Sequence, residues 1–303
     1  MKLLDHTLRL PTYDTPLTII PFGCVHADDP GFREHLWAQC VQEILDTPYC
    51  LGIGLGDYKN LFRSHARMHL KSYTADEDSW RELDALIRGE ARKFAEKWLR
   101  PMADKGKLLG LAEGNLFYKF SDGTTDTQFM CHLLDVPYLE KPAFVRLNVN
   151  LGKHEQTQIQ KLLIHHGDWS SGYSRPGGDL NSIEIKGMSF DFDIYIFSHT
   201  HRKFGHLSPS MTINSKGRLK TIEKPRLFIR TGAFVASYDA CTQTYAQKKL
   251  LAPTELGYVV AMVKWVRHRD KEMYAKMKLA GVAYRNRVNT ARDNLRPHFS
   301  FRI

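Results

Sequence analysis

No apolar run in this 303-residue chain approaches the roughly 20 residues that a helix needs to cross a bilayer, so no membrane-spanning helix is expected. Cysteine is scarce: Cys24, Cys40, Cys50, Cys131 and Cys241 are odd in number, scattered and free of any CxxC pair. That usage fits reduced thiols better than a disulfide framework. Met1 to Leu10 carries Asp5 and lacks the apolar core of a secretory leader, so a cytoplasmic location is expected. Internal repeats, low-complexity tracts and clear linkers are also missing. Acidic residues are in deficit, 33 Asp and Glu against 43 Lys and Arg, which leaves a formal charge of +10 and favours polyanionic partners. What is present is ordinary globular composition: 43% hydrophobic residues are enough for a sizeable core.

The informative pattern is a series of short apolar runs, each followed by polar residues that can bind metal. Ile194–Phe197 is a β-branched and aromatic run ending in Ser198-His199-Thr200-His201. On an extended backbone His199 and His201 would share one face. Leu17–Gly23 reads as a strand leading into Cys24, His26 and Asp28, whose alternation predicts a common side. An amphipathic helix follows at about 32–45, with Leu36, Trp37, Cys40, Val41 and Ile44 on its apolar face. Cys50–Leu55 ends in Gly56-Asp57, and Lys107–Leu111 precedes Glu113-Gly114-Asn115-Leu116. A helix is predicted over about 74–100. Strands are predicted at 144–149 and 157–164, the latter ending in His165-His166-Gly167. The glycine-rich stretch 168–179 reads as an exposed loop, followed by a helix near 181–187 and strands at 226–230 and 257–264. From Lys264 onward, eleven basic residues face three acidic ones, a net +8.

In order, Cys24/His26, Asp57, Asn115, His165/His166 and His199/His201 resemble the calcineurin-like metallophosphoesterase superfamily. Its pattern runs Asp-x-His, Gly-Asp, Gly-Asn-His, a lone His and Gly-His-x-His. The likeness is greatest to the phage- and prophage-borne branch, through His166-Gly167, Pro176-Gly177-Gly178 and the block Asp193–His201. It covers about residues 17–262. The resemblance implies a four-layer α/β/β/α sandwich as residues 1–264, with 265–303 as a basic extension packed on the same domain. It further implies two divalent metal ions (manganese, zinc or iron). His26, Asp57 and His201, with Cys24 beside them, would hold one ion. Asp57, Asn115, His166 and His199 would hold the other, with Asp57 bridging. His166 is preferred to His165 because the family's lone His commonly precedes a glycine. Asp57, Asn115 and His199 are the residues expected to serve catalysis. The implied reaction is phosphoester hydrolysis, on diesters rather than monoesters, with nucleic acid as the polyanionic partner that the charge suggests.

Three departures qualify the resemblance. Cys24 stands where the family has Asp, offering a softer ligand. Leu116 replaces a His that assists the leaving group, and a leucine has no proton to donate. Ser198 replaces a glycine. The competing expectation is therefore an accessory protein that keeps the fold and binds metal or nucleic acid without hydrolysis.

Overall fold

The computed structural model describes residues 3–60, 77–152, 156–167, 178–209, 225–241, 243–267 and 295–303. In chain order the strands are β1 (Leu3–Leu10), β2 (Leu17–Phe22), β3 (Cys50–Gly54), β4 (Leu108–Ala112), β5 (Tyr138–Leu139) and β6 (Ala143–Leu151). They continue with β7 (Gln156–His165), β8 (Ile194–Phe197), β9 (Lys203–Ser208), β10 (Arg226–Thr231), β11 (Val260–Arg267) and β12 (Leu295–Arg302). The helices are α1 (Glu34–Asp46), α2 (Glu77–Phe94), α3 (Arg100–Asp104), α4 (Asp126–Leu134), α5 (Gly178–Met188) and α6 (Tyr245–Lys248). One π-helical turn, Ala95–Leu99, joins α2 to α3.

Two six-stranded sheets form, ordered β1-β6-β7-β8-β10-β9 and β12-β11-β2-β3-β4-β5. Period-2 alternation assigns each strand two destinations. Val145, Leu147 and Val149 of β6, with Ile194 and Ile196 of β8, meet Ile19, Ile53 and Leu109 from the other sheet in a core between the sheets. The opposite face of the second sheet, through Ile20 and Phe22, packs on Trp37, Ile44, Ile87 and Phe94 of α1 and α2. Tyr195 and Phe197 turn outward to Ile183 of α5. The result is a four-layer α/β/β/α sandwich.

Several local expectations are refined or corrected. The helix expected over about 74–100 is α2 followed by the π-helical turn and the start of α3, and it buries Ile87 and Phe94 while Leu86 is 61% exposed; 74–76 lie outside the described residues. Asp179, expected in an exposed loop, is the buried second residue of α5; the rest of that loop, 168–177, lies outside the described residues. The strand expected at 257–264 is β11, Val260–Arg267, and a further strand with no expectation attached, β12, pairs with it antiparallel over its whole length. Edge strands β1 and β9 had no expectation attached, for they alternate at an edge without a continuous apolar run.

β2, β3, β4 and β5 are mutually parallel, as are β7, β8 and β10 in the other sheet. Parallel strands bring their carboxyl ends to one edge, the usual place for a site in an α/β sheet. At that edge the loops after β2, β3, β4, β7 and β8 meet.

Candidate metal centre

The loops can meet because glycines remove the side chains between them. A Cβ on Gly56, whose φ is +93°, would lie 2.1 Å from the backbone nitrogen of Gly114. A Cβ on Gly114 would lie 2.0 Å from Asp57 Oδ1. The β3 and β4 ends are thus in backbone contact, with the Asp57 carboxylate lying over Gly114. The Leu116 N–H donates to Asp57 Oδ1 at 2.9 Å, which fixes the carboxylate's other oxygen toward the centre.

Asp57 Oδ2 is 3.1 Å from His166 Nε2, and the same nitrogen is 2.9 Å from Asn115 Oδ1. Asn115 Oδ1 also lies 3.0 Å from His199 Nδ1. His166 Nδ1 donates to the Leu55 carbonyl at 2.6 Å, so that nitrogen carries the proton. Nε2 of a neutral ring then presents a lone pair to two oxygen acceptors. A second ring proton or a cation between the ligands relieves that crowding.

The same logic holds on the other side. His26 Nδ1 donates to Asn60 Oδ1 at 2.8 Å, leaving Nε2 directed at His201 Nε2, 3.2 Å away. Burial, with His26 beside it adding to the effect, pushes His201 down to about 3, so this imidazole is neutral at physiological pH and its lone pair can ligate. Burial would raise the Asp57 carboxyl, but His166, His26 and the Leu116 amide outweigh it and hold it well below the usual carboxylate range. The centre therefore offers imidazole nitrogens and an ionised carboxylate, a donor set suited to divalent transition metals.

Cys24 joins the two halves. Its sulfur groups within 4.8 Å with ligand atoms of His26 and His201, and separately with those of Asp57 and His166. It is fully buried, 3.3 Å from Ser198 Oγ, and burial with the nearby Asp57 pushes the thiol up to about 12. Without a cation it is a thiol, not a thiolate.

The expected extended geometry is not what delivers these residues. Cys24, His26, Asp57, His199 and His201 have φ of +49°, +47°, +55°, +76° and +58°. They make up five of the eight non-glycine residues with positive φ among those described. Each such residue costs roughly 1–3 kcal/mol and is kept only where its surroundings over-determine it, which happens most often at functional sites. The left-handed turns let alternate residues face the centre after the strands have ended. Asp28 does not join them: its Oδ1 accepts the Asn60 N–H at 2.5 Å. His165 is also turned away, its Nδ1 accepting the Gly167 N–H at 2.8 Å.

Sequence reasoning missed three supports. Asn60 orients His26 and is itself held by Asp29 Oδ2 at 2.7 Å. Asp179 and Arg230 lie buried behind the His199–His201 turn. Only Asn60, three residues after Asp57, had a signal in proximity; the other two are distant in sequence.

Similarity to solved structures is broad but thin. Vps29 from Entamoeba histolytica, solved with zinc, aligns over 82% of this chain and 90% of its own at 10% identity and TM-score 0.37. Vps29 from Cryptosporidium parvum aligns over 95% and 99% at 14% identity and TM-score 0.31. A Streptococcus pneumoniae protein described as a predicted phosphoesterase aligns over 82% and 83% at 12% identity and TM-score 0.29. No family model and no curated protein matches the chain. The case for function rests on the residues themselves.

Proposed function

We propose that this chain is a metal-dependent phosphoesterase acting on a phosphodiester at a binuclear centre. The observation that carries this reading is the convergence of Cys24, His26, Asp57, Asn115, His166, His199 and His201, five of them on left-handed backbone, around unshared lone pairs. In it His26, Asp57 and His201, with Cys24, hold one divalent ion, and Asp57, Asn115, His166 and His199 hold the second. When bound, such ions supply Lewis acidity to a phosphoryl oxygen and acidify water at neutral pH.

The chain's own residues divide the remaining work. Asp57, held ionised and aimed by the Leu116 amide, offers an oxygen to each half of the centre. His26 and His166 are locked as Nδ1–H tautomers by Asn60 and by the Leu55 carbonyl, so Nε2 is the ligating atom in each. Asn115 is exposed and His199 and His201 are half-buried, whereas His26, Asp57 and His166 are buried, so substrate approaches from the side of Asn115, His199 and His201. Leu116 gives its backbone N–H to the site, and its side chain carries no acid to protonate a poor leaving group. That favours diesters over simple monoesters, with nucleic acid as the substrate class the charge suggests.

The test joins metal analysis of the purified protein to hydrolysis of bis-p-nitrophenyl phosphate, p-nitrophenyl phosphate, DNA and RNA. Diester hydrolysis that requires added manganese, zinc or iron, and falls by about 100-fold or more in Asp57→Asn, is the expected result. Intact metal content and activity in both Asp57→Asn and His201→Ala would remove the assignment. The buried neutral thiol of Cys24 and the leucine at 116 favour one second reading, a metal-binding accessory protein. Metal uptake without turnover of any of these substrates would establish it.

A further inference from the structure

Against the Ser198–His201 turn lies a buried ion pair that is outside the set of candidate ligands. Arg230, at the end of β10, is 0% exposed, and its Nη2 donates to Asp179 Oδ1 at 2.7 Å. Removing two charges from water is costly, and such a pair is weak as a source of stability compared with apolar side chains of similar volume. Its contacts indicate what else it does. Arg230 Nη1 donates to the carbonyl of Ser198, the residue before His199. Asp179 Oδ2 accepts from Thr200 Oγ1 at 3.0 Å, the residue between His199 and His201. On the other flank, a Cβ on Gly167 would lie 3.0 Å from Arg230 Nη1, so the guanidinium also abuts the loop that carries His166.

The turn so gripped is strained. His199 and His201 both have positive φ, and no strand pairing extends past Phe197 to hold them. One further contact adds to the grip: Thr231 Oγ1 donates to Ser198 Oγ at 2.9 Å.

We propose that Asp179 and Arg230 are positioning residues that hold Ser198-His199-Thr200-His201 in its left-handed turn, so that both imidazoles face the metal centre. This deepens the metal reading above and rests on it for its consequence. Asp179 is the second residue of α5, so that helix is tied directly to the turn and, through it, to metal affinity. Outer partners of this kind alter metal affinity by about 10–100-fold when removed.

The experiment uses the full chain and two substitution sets. Thr200→Val keeps the side-chain shape and removes the hydroxyl, and Thr200→Ser restores it. Asp179→Leu with Arg230→Met replaces the ion pair with apolar side chains of similar length and leaves no charge stranded. Three readouts are taken: zinc and manganese affinity by chelator competition, thermal midpoint without metal, and ring-nitrogen NMR shifts of His199 and His201 without metal. Thr200→Val and the double variant are expected to melt near the parent yet bind metal about 10–100-fold more weakly. Their His199 and His201 shifts should move from a single tautomer toward an average, and Thr200→Ser should recover parental values. Parental affinity and parental shifts in Thr200→Val would overturn the proposal even if the double variant failed to fold. A parent protein that takes up neither metal would instead remove the metal reading, and the ring-nitrogen shifts would alone decide the positioning role.

Discussion

A sulfur with no solvent exposure, set among two imidazoles, another imidazole and a carboxylate, is either a small packing residue or a ligand that ionises only when a cation arrives. Free cysteine is often buried for packing alone. At Cys24 the thiol is held un-ionised by burial and by Asp57, yet the Ser198 hydroxyl and the His199 backbone N–H both favour the thiolate. A divalent cation held there would add to those two and favour the thiolate. Cys24→Ser is therefore expected to weaken zinc binding by roughly tenfold or more, the scale on which lost ligand interactions register. Cys24→Asp should shift preference toward manganese, because it exchanges a soft donor for a hard one. Chelator competition with both metals measures this. Parental affinity and selectivity in both variants would make Cys24 a packing residue.

At the scale of elements, the loops between strands decide whether there is a centre at all. The strand runs from Leu17, Cys50, Lys107 and Ile194 were legible because fully buried parallel strands are continuous apolar segments. The order of polar residues after them was legible for the same reason: a strand's end is where the apolar run stops. The turn geometry was not. Alternation suggested extended chain at Cys24–Asp28 and His199–His201, whereas Cys24, His26, His199 and His201 have positive φ, and local sequence carries no mark of a partner such as Arg230, 32 residues from Ser198. Asp179 illustrates this, since a glycine-rich neighbourhood reads as loop whatever the buried arginine behind it requires. Gly114 gives the element-scale prediction. Gly114→Ala adds one methyl group that meets Asp57 Oδ1 at 2.0 Å and the Asp57 backbone nitrogen at 2.5 Å, both held by neighbours that cannot retreat. Overpacking of that kind costs about 1–3 kcal/mol, and here it must also move the Asp57 carboxylate. Denaturant titration should show the loss of stability, and metal binding should fall with it. A Gly114→Ala protein with parental stability and metal content would mean that the β3 and β4 ends separate without cost.

At the scale of the molecule, the sandwich and the surplus charge share the same terminal stretch. β12 is the outer strand of the second sheet, and its Phe299 is buried in the core between the sheets. Phe301 packs against that core and lies where a Cβ on Gly205 of β9 would fall, so this strand also closes one side of the sandwich. Deleting the terminal stretch would therefore open the core, and any loss of polyanion binding would be a loss of fold. Substitution separates the two. Arg285, Arg287 and Arg292 belong to the basic run between β11 and β12, outside the described residues, so their substitution changes no residue of either strand. Basic side chains that neutralise phosphates release counterions, so affinity falls linearly with salt on logarithmic axes, with a slope of about −0.9 per phosphate contact on duplex DNA. Reversal of all three to Glu should weaken DNA and RNA binding and flatten that slope by roughly two to three units. Turnover of bis-p-nitrophenyl phosphate, which is too small to reach beyond the metal centre, should stay at the parental rate. If the triple variant keeps parental affinity and salt slope, the basic run does not contact phosphate, and the net charge of +10 ceases to be a guide to the substrate.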